Sequence, residues 1–186
     1  MTGVCEDKAV EDRPYDKERL KHLIHYVIWK VGARPDFGAT KLYKAAWFSD
    51  ARYFVLFGQS VTGAQYVREK HGPIPKYGIA IRQELAELGC IQQWKSGNSW
   101  RFKALVPAKP DWFTPKERET IDYWAKHIAE DHTAASISDQ SHDLGWEIAQ
   151  MGEPLPFHSV LADRIRDPNG AQMAWAKQRA RELRLP

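Results

Sequence analysis

The chain has 186 residues, a mass of 21.4 kDa and a formal net charge of +3. That length suffices for one domain with a real core, and the slight excess of cations does not by itself argue for nucleic acid. Two cysteines, Cys5 and Cys90, rule out a disulfide framework. No apolar run approaches bilayer length, and the acidic start lacks the basic-then-apolar order of a secretory signal, so a cytoplasmic location with no membrane partner is the expectation.

Residues 1–15 read as a polar extension closed by Arg13-Pro14. From Asp16 an amphipathic helix begins: Leu20, Leu23, Ile24, Val27, Ile28 and Val31 recur at three- and four-residue steps until Gly32. A second helix starts near Thr40, with Leu42, Ala46, Ser49, Tyr53 and Phe57 on one stripe and Gly58 as its stop. The connector 59–75 is less regular and ends in a rigid Gly72-Pro73-Ile74-Pro75 corner, from which Pro75 opens a helix to about Leu88. Gly89 ends it. Ile91–Lys95 and Ser99–Lys103 flank Ser96-Gly97-Asn98, the best hairpin signal in the chain. Thr114-Pro115-Lys116-Glu117 combines an N-cap, a first-position proline and a capping-box glutamate. Ser138–Gln150 reads as one further helix, with His142 and Trp146 a turn apart, and a basic helix is expected toward Leu183. The sum is a mainly α, compact helical domain over 16–165 with one small antiparallel hairpin at about 91–103, followed by a basic C-terminal helix over 166–186.

Seven histidines invite a metal reading, but the chain has no H-E-x-x-H and no Cys-x-x-Cys. His127 and His132, five apart, do not share a helical face, so neither a metal nor a cofactor is expected. Ser141-His142 beside Asp139 or Asp143 lacks triad geometry, because neighbours on a helix point in different directions. Ser141, His142 and Trp146 are therefore structural polar residues, with Ser141 as a helix-start hydroxyl. Lys41, Lys44, Asp50 and Arg52 stand among the aromatics of the second helix. They are either ordinary solvated charges or, beside Trp47 and Phe48, a protein-recognition surface. The helix and basic hairpin over 75–103 also resemble the recognition helix and wing of a winged-helix DNA binder, with Arg82, Lys95, Arg101 and Lys103 toward phosphates. Glu84 and Glu87 on that helix oppose this. With no nucleophile, metal cage or phosphate loop, the chain reads as a binding protein and not an enzyme.

The run T-K-L-Y-K-A-A-W-F-S-D, then F-G, then V-T-G-A-Q-Y-V-R-E-K-H-G-P-I-P, then E-L-G-C-I, resembles the Panacea domain, the SocA-like antitoxin domain of GepA-type phage-associated proteins. F-T-P-K-E-R-E-T-I-D and S-D-Q-S-H-D-L-G-W match its later helices, so the resemblance covers about residues 20–160. Ala45-Ala46-Trp47-Phe48 and His71 depart from its usual pattern. The resemblance implies a helical antitoxin of a toxin-antitoxin system that neutralises a cognate toxin protein by direct contact, with a protease or operator DNA as further partners. Lys41, Lys44, Trp47, Asp50, His71, Gly72, Pro73 and Pro75 form the expected partner-binding region, and a winged-helix transcriptional regulator is the alternative.

Overall fold

The computed structural model describes residues 13–162. Cys5 and the basic C-terminal helix expected over 166–186 lie outside the described residues. Helix α1 (Lys17–Val31) starts at Asp16, whose carboxylate accepts from the N–H groups of Glu18 and Arg19, and stops at Gly32. Its apolar stripe is buried as far as Ile28, with Leu20, Leu23, Ile24 and Val27 exposing no surface and Val31 half-buried at the end. Helix α2 (Ala39–Phe57) begins one residue before Thr40, at Gly38 and without a side-chain cap, and ends at left-handed Gly58. It packs against both α1 and helix α4 (Pro115–Asp131), so nearly its whole first half is enclosed.

Between α2 and the next helix, Tyr66–Val67 (β1), within the stretch 61–67 that reads as short strand or turn, pairs antiparallel with Ile74–Pro75 (β2), a pairing absent from the sequence reading. Pro75 therefore belongs to a strand, and helix α3 (Gly78–Glu87) opens three residues later than expected. The anticipated hairpin is present as β3 (Ile91–Ser96) and β4 (Ser99–Ala104). Ser96 faces Ser99, so the loop is the two residues Gly97-Asn98, with Gly97 at positive φ as that turn requires. Gly38 bridges to Arg101 of β4 and ties the hairpin to the start of α2.

The Thr114 capping box forms as read, but Glu117 does more than cap. Its carboxylate, 1% exposed, accepts from Arg13 at 2.9 Å and Arg19 at 2.7 Å. A carboxylate can be buried this deeply because two guanidiniums and a backbone N–H satisfy it. Residues 13–16 are thus packed onto the domain: Gly63 lies against the carbonyls of Arg13 and Pro14.

The helix expected over 138–150 is two short ones, α5 (Ala134–Gln140) and α6 (Leu144–Ile148), followed by α7 (Ser159–Ala162). The break has a local cause. Ser141 is the C-cap of α5, not a helix start, and its hydroxyl donates back to the Ser138 carbonyl at 2.6 Å. Asp143 then caps α6 by accepting from the Trp146 N–H at 2.9 Å. Among the described residues no helix is long and apolar enough to cross a membrane.

Candidate functional site

Of the residues singled out on α2, Arg52 is exposed as a solvated charge would be, while the four expected to bind a partner lie inside the molecule. Lys41 and Lys44 are 1% exposed, Trp47 2% and Asp50 0%. Neither the solvated-charge nor the contact-surface expectation describes these four, because the charged heads of Lys41, Lys44 and Asp50 bond to protein groups and the Trp47 ring is packed in the core. Lys41 Nζ donates to Asp36 at 2.5 Å and to the Ala129 carbonyl of α4 at 3.4 Å. That ammonium holds the Asp36 carboxyl below its ordinary range.

Asp50 organises the connector. It accepts from the Thr62 N–H at 2.9 Å, the Thr62 hydroxyl at 2.5 Å and the Tyr66 hydroxyl at 2.8 Å. Three donors around one enclosed carboxylate fix how the chain leaves α2 and enters β1. Trp47 packs edge-on against the Tyr66 ring, with centroids 4.8 Å apart, and against Phe157 at 5.6 Å.

Lys44 holds the corner. Its Nζ donates to the Pro73 carbonyl at 2.7 Å, no carboxylate among the described residues pairs with it, and burial pushes its pKa down to about 7. Gly72 sits directly against it at φ 86°, where a Cβ would stand 2.8 Å from Lys44 Nζ and 2.1 Å from Ser141 Oγ. This glycine is required twice, by dihedral and by space. Gly72→Ala is expected to lower the unfolding free energy by about 3 kcal/mol or more, read as a fall in thermal midpoint. An unchanged midpoint would show that the corner has room to relax.

Above the corner lies a stack that sequence spacing did suggest. His142 and Trp146 are parallel, with centroids 3.7 Å apart, and the Arg68 guanidinium stands 4.1 Å from the Trp146 ring. The Trp146 indole N–H donates to the Glu69 carbonyl at 3.0 Å. Burial first, and Lys44 second, hold the His142 imidazole below its ordinary pKa, so the ring is neutral at pH 7. Around this buried frame Lys70, His71, Lys76 and Tyr77 are exposed. The expected partner-binding region is therefore divided: Lys44, Trp47, Asp50, Gly72, Pro73 and Pro75 lie beneath, His71 with its neighbours lies on the outside, and Lys41 stands apart against Asp36 and α4.

A second surface was missed. The end of α2 and the outer side of α4 bound a groove of about 670 Å³ lined by Arg52, Leu56, Phe57, Lys116, Tyr123 and Trp124, among others. Leu56, Phe57 and Tyr123 are half exposed there. The signal was available in the sequence, since Tyr53, Leu56 and Phe57 extend the aromatic run beyond what one buried stripe can absorb.

Arg82 cannot reach phosphate. It is 5% exposed, with its guanidinium 4.7 Å from the Trp100 ring and 5.5 Å from the Phe102 ring. Glu84 pairs with Lys17 and Lys21, which hold its carboxyl below the ordinary range, while Glu87 is exposed on the same helix. The outer face of α3 thus carries carboxylate and apolar groups, a poor match to a nucleic-acid backbone.

His127 and His132 do meet. His132 lies just past the end of α4, where the chain turns back, so the five-residue spacing no longer separates the rings. Their Nε2 atoms are 3.2 Å apart. Among the described residues no group of three or more His, Cys, Asp or Glu side chains is placed to hold a metal ion.

The described residues thus form a scaffold of enclosed polar ties with an aromatic and cationic exterior. The family model "Antitoxin SocA-like, Panacea domain" matches residues 42–147, from the first turns of α2 through α6. The chain belongs to this family, as its sequence resemblance implied. No curated protein and no solved structure matches the chain.

Proposed function

We propose that this protein is an antitoxin that neutralises a folded toxin protein by direct contact, without chemistry. The observation that supports it most is the family match over residues 42–147, which takes in the corner, the stack and the groove together. The contact face is the outer layer of the corner: His71 with Lys70, Lys76 and Tyr77, mixed aromatic and cationic groups of the kind that anchor protein interfaces. Lys44, Asp50, Trp47, Gly72, Pro73 and Pro75 act beneath it by holding that layer in place. Lys41 secures α2 to α4. This action needs one folded partner and requires neither a protease nor operator DNA.

The test is co-expression with the protein encoded beside this chain. The neighbouring product alone is expected to arrest growth, and this chain to restore it and copurify with it. Charge reversal on the outer layer, Lys70→Glu with Lys76→Glu, should abolish rescue while leaving the thermal midpoint unchanged. Tyr123→Asp in the groove should leave rescue intact. The reverse pattern moves the contact to the groove. A toxic neighbour that this chain neither binds nor silences removes the antitoxin reading altogether.

A further inference from the structure

The β3–β4 hairpin lies in a stretch of chain that is cationic and free of acids. From Leu88 to Pro110 the sequence carries Lys95, Arg101, Lys103 and Lys109 and no Asp or Glu. Strand alternation sorts the side chains by face. Ile91 and Phe102 turn inward, where Phe102 exposes nothing, and Trp100 beside them meets Arg82 of α3. The cross-strand pair Trp94 and Arg101, and next to it the pair Gln92 and Lys103, share the opposite, outer face.

Trp94 is 42% exposed, and among the described residues no ring stacks on its indole. No carboxylate among the described residues pairs with Arg101 or Lys103. Arg101 is held in place instead: its Nη1 donates to the Ser99 hydroxyl at 3.4 Å and lies where a Cβ on Gly38 would stand, 2.5 Å away. Residues two apart on one strand, such as Arg101 and Lys103, are about 7 Å apart, close to the step between successive phosphates of an extended strand. A free aromatic face beside unpaired cations suits a ligand that offers a planar base and phosphates together. A duplex keeps its base faces inside the stack, beyond the indole's reach. Reading a duplex in the winged-helix manner would also bring Glu84 and Glu87 of α3 to its phosphates.

We propose that the outer face of this hairpin binds single-stranded nucleic acid, with an unpaired base stacked on Trp94 and the adjoining phosphates on Arg101 and Lys103. The exposed Gln92 amide adds a donor and an acceptor for a sugar or a base edge. The face shares no residue with the ridge around His71 or with the groove between α2 and α4, so a bound strand and a bound protein do not compete for the same side chains.

The experiment uses the full chain and fluorescein-labelled oligothymidylate and oligouridylate of about ten nucleotides, followed by anisotropy. Saturable binding of at least one strand is expected, and the tighter of the two identifies the preferred sugar. Two phosphate contacts predict a log–log salt slope of about −1.4. Trp94→Leu keeps an apolar side chain but loses the ring, and should weaken binding about fivefold or more, whereas Trp94→Phe should retain most of it. Lys103→Gln should reduce the slope to about −0.7. Lys116→Gln, beside Phe57 at the start of α4, removes the same charge and should leave the slope unchanged. These positions are exposed, so an unchanged circular dichroism spectrum controls for folding. The proposal is overturned if neither strand binds, if Trp94→Leu binds as tightly as the parent, or if the annealed duplex binds as tightly as the single strand. Displacement by polyglutamate as effective as by unlabelled strand would overturn it too, and would assign the face to an acidic protein. None of these outcomes depends on the antitoxin reading.

Discussion

Replacing Asp50 by Ala is expected to lower the unfolding free energy by about 3–5 kcal/mol. The carboxylate is wholly enclosed and accepts from the Thr62 N–H, the Thr62 hydroxyl and the Tyr66 hydroxyl. Its removal strands three buried donors and leaves a cavity, and each stranded donor costs about 1–3 kcal/mol, part of it recovered by relaxation or entering water. Tyr66→Phe removes one donor and keeps the ring packed on Trp47, so it should cost only about 1 kcal/mol. Urea denaturation with an unchanged m-value measures both. A loss below about 1 kcal/mol for Asp50→Ala would mean that water satisfies these groups and that the connector is not held from α2.

The second large effect is on pH dependence. Burial lowers the Lys44 pKa from the ordinary 10.5 to about 7 in the folded protein. Between those values the unfolded chain binds the extra proton, so stability rises with pH across that window. The cost of charging Lys44 is fully present below pH 7 and fades as the pH climbs toward 10.5. Lys44→Met keeps the unbranched chain and removes the titration. From pH 7 to pH 10 the parent should therefore gain about 3 kcal/mol on the variant, which cancels the contributions of other groups. The Pro73 carbonyl loses its donor in Lys44→Met, an offset that is the same at every pH. A flat difference over that range would place the ammonium in water.

Several signals in the sequence were legible because the physics behind them is local, although the equally local caps at Ser141 and Asp143 were not read. Thr114 caps α4 as read, because a short side chain meets its own next turn; α1 begins after Asp16 where expected; and the hairpin stands where it was read, although its turn is the two residues Gly97-Asn98, closed by the positive φ of Gly97. The β1–β2 ladder was illegible because two residues per strand carry no period, and its pairing depends on Lys44 and Asp50 from another element. Burial of those two side chains was equally hidden: a Lys or Asp between aromatics looks solvated until its partner, nearly thirty residues away for Lys44, is known. The His142–Trp146 stack survived a wrong helix assignment, since the Ser141–Asp143 break still brings the rings together. The His127–His132 contact was ruled out by helical periodicity, which ceases to apply one residue beyond Asp131.

Lys44 grips the corner through a main-chain oxygen, and Asp50 grips the connector partly through a main-chain N–H. Neither tie reads the side chains displayed at Lys70, His71, Lys76 or Tyr77. The exterior of that ridge is thus free to be rewritten residue by residue while its anchorage stays the same. A domain built so separates what it grasps from what keeps it standing, and a new partner can be accommodated without redesigning the frame.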